Sequence, residues 1–169
     1  MLQKNANVRY MADQPDLPKK RARKPRPIHH PSDFDLDVLN GDDDLFRWFL
    51  LCYLLGRPIQ SVVAVKTWKL FIDRKLDLPW SILNMSDNQL VHLLHQGGYT
   101  RYQHFMTHAL KTCMQQLVNF YDGSLTLMIE TSENEDELSK RLQKLYGVGP
   151  KTAEIYMRET DEFFARRVE

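Results

Sequence analysis

Cysteine is nearly missing from this chain: Cys52 and Cys113 are the only two, far apart and each inside a helical apolar pattern. Two thiols cannot make the disulfide framework of a small secreted domain, and they fall short of the four thiolates that hold an iron–sulfur cluster. They predict reduced core residues in an intracellular protein, in nucleoid, cytoplasm or nucleus according to the host. Long hydrophobic runs are also lacking. The longest, Trp48 to Leu55, stops well short of the ~20 apolar residues that span a bilayer. The N-terminus has no apolar signal-peptide core, so neither a membrane span nor a leader is expected. No β-hairpin signal survives inspection, which leaves an all-α class. What is present is enough for one folded domain and a tail: 169 residues, 43% of them apolar.

The net charge of +1 hides a split. Residues 1–30 hold eight basic and two acidic side chains, and the remaining 139 hold fifteen and twenty, giving +6 and −5. Affinity for a polyanion cannot come from the net charge of the folded part. Up to about Pro31 the sequence has no apolar periodicity and is rich in Pro, Lys and Arg, which predicts a disordered basic arm over 1–32 and a folded domain over 33–169. Lys19, Lys20, Arg21, Arg23, Lys24 and Arg26 form its centre. Such a block adds phosphate contacts or serves nuclear import, and the plain alternative is a solubilising tail. Asp42, Asp43 and Asp44 then open an apolar segment, where carboxylates favour a helix dipole; a metal site built from them is the rarer reading.

Helices follow throughout. Leu45 to Leu55 is apolar nearly all round, as a central buried helix requires, and Gly56-Arg57-Pro58 breaks it. Ile59 to Leu76 reads as a helix by length, Leu78-Pro79-Trp80 as a turn, and Ser86 to Gln89 as a capping box before a helix stopped at Gly97-Gly98. Tyr102, Phe105, Met106, Ala109, Leu110, Cys113, Leu117 and Phe120 recur at three- and four-residue steps, predicting one long amphipathic helix that ends at Asp122-Gly123. A short segment around Leu125 to Ile129 comes next, and Ser132 to Glu135 has the spacing of a second capping box.

That last helix leads into Leu142-Gln-Lys-Leu-Tyr-Gly147-Val148-Gly149-Pro150-Lys151-Thr152-Ala153-Glu-Ile-Tyr. Two glycines one residue apart, with proline suited to the first position of a new helix, describe two helices joined by a tight hairpin. Glycine backbones at such a turn bring amide N–H groups close to an anion, and the following helix N-terminus adds positive dipole on the same side. An ordinary helical corner is the plain alternative. The pattern resembles the helix-hairpin-helix of the endonuclease III (HhH-GPD) superfamily of base-excision DNA glycosylases. Helix order and spacing from about Leu45 to Met157 are similar to the helical domain of that family, including Gly97-Gly98-Tyr99-Thr-Arg101 before its long helix.

The resemblance implies a partner, double-stranded DNA that is damaged or abasic; no cofactor is expected, since two cysteines cannot hold the iron–sulfur cluster that many members carry. Its implied contacts are Gly147, Val148, Gly149, Lys151 and Thr152, with Arg101 approaching from the cleft side and the basic arm adding phosphate contacts. Lys151 stands where the bifunctional members keep their catalytic amine. Two features depart from the family. The turn after the first helix reads Gly56-Arg57-Pro58-Ile59-Gln60 where members place a gap-filling glutamine. No aspartate in a Val-Asp-Thr-like context follows Lys151; Glu169 has a similar offset, and Asp161, expected on the same helix as Lys151, lies about 15 Å along it. Lys151 can therefore serve as an amine that forms a Schiff base or as a plain phosphate contact. His104 and His108 lie four apart, but no third ligand at suitable spacing makes them a zinc site. Three readings remain: a glycosylase or abasic-site lyase using Lys151, a DNA-binding module without chemistry, and a helical protein-interaction domain.

Overall fold

The computed structural model describes residues 25–167; Lys19 to Lys24 and Glu169 lie outside them. The described residues are all-helical: α1 (Asp42–Leu55), α2 (Ser61–Asp73), α3 (Pro79–Leu83), α4 (Asp87–Gly97), α5 (Gln103–Tyr121), α6 (Leu125–Glu130), α7 (Glu135–Lys144), α8 (Pro150–Met157) and α9 (Asp161–Ala165). No strand occurs among them, and none of these helices is long and apolar enough to cross a membrane. Helix α1 is the axis of the core, with Leu45, Phe46 and every residue from Trp48 to Leu54 buried. It packs against α2, α6 and α8, while α5 packs against α3 and α4. Cys52 and Cys113 are both buried, and burial pushes the Cys113 thiol up to about 12.

The caps show why the helices start where they do. Ser86 Oγ accepts from the Gln89 amide and Gln89 Oε1 accepts from the Ser86 amide, the expected reciprocal box. Asp42 does more than face a dipole: its carboxylate accepts from Ser124 Oγ at 2.7 Å and the Thr126 amide at 2.8 Å, tying α1 to the start of α6. The second expected box is shifted. Ser132 is buried, with its hydroxyl donating to Met128 O, and Asn134 caps α7 instead by accepting from the Glu137 amide. Asn134→Ala should cost about 1 kcal/mol. In thermal unfolding that is a fall of ~2–4 °C; an unchanged midpoint would contradict the assignment.

Three further expectations change. Pro79 opens the short helix α3, so the expected turn at Leu78 to Trp80 is a helix start. Tyr102, Phe105 and Phe120 are 46%, 51% and 67% exposed rather than members of the core stripe. Tyr102 precedes α5 with non-helical ψ, Phe105 lies around the helix from the buried arc of Met106, Leu110, Cys113 and Leu117, and Phe120 sits on the last turn, beyond that arc. Asp161 does not continue the helix of Lys151, because α8 ends at Met157 and Asp161 begins α9. At the other end, His30 Nδ1 lies 2.6 Å from Glu159 Oε1 and His29 packs against Phe34, which sits edge-on against Trp68, so His29 and His30 of the expected arm rest on the folded part.

Candidate nucleic-acid interface

Helix α7 ends when the Leu145 amide donates to Leu142 O, and the Val148 amide closes the next turn on Leu145 O. Leu142, Leu145 and Val148 point into the core. Gly147 then takes φ +79°, the left-handed conformation that favours glycine. Gly149 does not need its glycine for this reason: its φ of −96° is open to any residue, and a Cβ there would meet nothing within 4 Å. Pro150 occupies the first position of α8. The amides of Gly147, Gly149, Lys151 and Thr152 have no hydrogen-bond partner among the described residues, which leaves a cluster of donors at one helix start.

The hairpin is clamped from behind by α1. Tyr53 Oη donates to Tyr146 O at 3.0 Å and Arg57 Nη2 donates to Gly147 O at 2.9 Å. Burial raises the Tyr53 hydroxyl far above its ordinary range, so it stays a donor across the physiological pH range. The Arg57 guanidinium also stacks 4.7 Å from the Tyr53 ring centre and 5.8 Å from that of Phe105. Gly56 lies against the Thr152 side chain, so the end of α1 and the start of α8 meet closely.

Lys151 projects from this start with its side chain 57% exposed and donates weakly to Glu154 at 3.4 Å. Arg158 donates to the same carboxylate at 3.0 Å; Arg158 first, and Lys151 second, hold Glu154 below the usual carboxylate range. Val148 and Thr152 are buried, at 5% and 3% exposure, so neither side chain can reach a ligand. Arg101 is exposed in the turn before α5, and Arg26 lines a cavity with Lys151. Gln60 precedes α2 as its cap residue, while Arg57 is the member of that turn that meets the hairpin.

Sequence reading missed Arg57 and the aromatic wall beside it. Arg57, Pro58, Tyr99, Tyr102, Phe105 and Met106 line a mostly apolar cleft of about 420 Å³. The available signal was an arginine in the break after a helix apolar nearly all round. His108 lies edge-on against Tyr146 at 5.6 Å, and both His104 and His108 are exposed. Among the described residues no group of three His, Cys, Asp or Glu side chains is placed to hold a metal ion.

No family model matches this chain. Nor does any curated protein.

Proposed function

We propose that this chain binds DNA as a base-excision-repair-type protein of endonuclease III-like kind, a glycosylase or abasic-site lyase. In this reading the hairpin holds a backbone phosphate and Lys151 supplies an amine. The observation that carries it is the conjunction at one turn of left-handed Gly147, open-sided Gly149, four unpartnered amides and an exposed lysine. Donors so arranged suit a phosphate oxygen, and the neighbouring Tyr102 and Phe105 offer faces on which an unpaired base can stack.

An abasic site is the favoured substrate. Its ring-opened sugar carries an aldehyde at C1′, to which the neutral Lys151 amine adds with loss of water, giving an iminium. Water takes the C2′ proton, and the electrons of that C–H bond form a C2′–C3′ double bond as the C3′–O bond breaks and the 3′ phosphate leaves. Breaking an intact N-glycosidic bond needs a carboxylate that stabilises a developing sugar cation, and Glu154, the acid beside Lys151, is already engaged by Arg158.

Borohydride trapping on an abasic duplex tests the reading, because hydride reduces the imine to a stable amine. Wild type should form a covalent adduct and Lys151→Ala should form none, with DNA affinity changed only a few-fold, as for loss of one phosphate contact. An undiminished adduct with Lys151→Ala would remove the lysine from the chemistry. Duplex binding without any wild-type adduct would favour the second reading, a DNA-binding module without chemistry, which the wide exposure of Lys151 also fits.

A further inference from the structure

Two cavities of about 420 and 480 Å³ open next to one another beside the hairpin and share His29 and Ser61. The first lies between the segment Arg26–His29, the start of α2 and α8, where Lys151 and Arg158 reach it. The second runs along the outer face of α2, past Val62, Val65, Lys66 and Lys69. Neither lining contains a carboxylate. In a chain whose residues 31–169 carry five more acids than bases, this strip gathers Arg26, Lys66, Lys69, Lys151 and Arg158. Glu154 engages Lys151 and Arg158, and Glu159 engages His30. Arg26, Lys66 and Lys69 make no ion pair among the described residues.

The spacing on α2 has a consequence for what can lie there. Residues 62, 65, 66 and 69 recur at three- and four-residue steps and so share one helix face. Lysines on that face stand beside exposed aliphatic surface, with Val62 73% and Ile28 65% accessible. Cations flanking small apolar shoulders match a sugar–phosphate backbone, whose anionic oxygens alternate with apolar sugar faces. From Ser61 to Lys69 the helix rises about 12 Å. One strand of a duplex presents three to four phosphates over roughly that length.

We infer that this strip continues the DNA footprint: the backbone held at the hairpin runs over the Arg26–His29 segment and along α2 to Lys69. The inference rests on the proposed DNA binding and gives it a direction. Each lysine that neutralises a phosphate releases a counterion, so its removal flattens the salt dependence of binding. The α2 lysines are exposed, and their loss leaves the core untouched.

The full chain is titrated into a labelled duplex by fluorescence anisotropy over a range of salt concentrations. For the double variant Lys66→Ala/Lys69→Ala, the slope of log K against log salt should become shallower by about 2, with affinity down roughly tenfold at low salt. Lys66→Arg/Lys69→Arg should keep the wild-type slope, and Lys75→Ala/Lys140→Ala, which line neither cavity, should do so too. An unchanged slope and affinity in the α2 alanine pair, with wild type still binding, overturns the track and leaves the hairpin reading standing. Equal losses from the Lys75/Lys140 pair overturn it as well, since charge at any place would then suffice. Absence of duplex binding by wild type removes the DNA-binding reading and the track together.

Discussion

Gly147→Ala should lower folding stability by about 3–5 kcal/mol. A left-handed backbone at a non-glycine residue costs about 1–2 kcal/mol. The new Cβ would also overlap the Tyr53 hydroxyl and stand 2.5 Å from the Arg57 guanidinium, so neither side chain could keep its bond to the hairpin. Losing one neutral and one charged hydrogen bond adds roughly 2–4 kcal/mol, less what relaxation recovers. The thermal midpoint should fall on the order of 10 °C. Gly149→Ala is its counterpart. Ordinary φ and empty surroundings predict a midpoint within ~1–2 °C of wild type. If a phosphate backbone approaches this turn, the added methyl group stands in its path, and duplex affinity should fall tenfold or more, about 1.4 kcal/mol. Equal stability loss from the two substitutions would contradict the geometry of the turn. Full DNA affinity in Gly149→Ala would remove the hairpin from the interface.

Trp48→Ala should cost about 3–5 kcal/mol, as truncation of a fully buried aromatic does. Its effect reaches beyond the cavity it leaves. Trp48 Nε1 donates to Tyr156 O at 3.3 Å, one of the last carbonyls of α8, which has no helical acceptor role left to fill. The indole thus fastens the second hairpin helix to α1, next to the edge-on packing of Phe49 and Tyr156 at 5.7 Å. Trp48→Phe keeps most of the ring and loses that bond, so it should cost about 1–2 kcal/mol. Urea unfolding followed by circular dichroism separates the two values. A Trp48→Phe variant as unstable as Trp48→Ala would mean that the hydrogen bond, rather than the buried volume, dominates.

The hairpin was legible because its signals are local. A glycine pair, a proline at the next helix start and apolar residues at helical spacing act within a few residues of one another. The unequal standing of Gly147 and Gly149 was not legible, since it depends on Tyr53 and Arg57, 93 and 90 residues away from their carbonyl partners. The cap of α7 misled for a similar reason. Ser132 and Asn134 both fit a capping pattern, and the choice fell to Asn134 because Ser132 is drawn inward, its hydroxyl on Met128 O and its carbonyl taken by Arg167. Phe105 fits a three-and-four periodicity as well as Met106 does, yet only one arc of α5 has neighbours to bury it.

Helical class, the buried status of α1 and the position of the turn before α8 follow from composition and periodicity, because backbone freedom and the 3.6-residue repeat operate over single turns. Which surfaces then meet is a matter of burial. Helix α1 is buried from Trp48 to Leu54, so it must be surrounded, and α2 and α8 both pack against it while Arg57, just past its end, reaches the hairpin. Lys66 and Lys69 read in isolation as ordinary solvated positions on a helix. Only the folded chain sets them along two adjoining cavities with Arg26 and Lys151, because that adjacency is made by contacts between segments far apart in sequence.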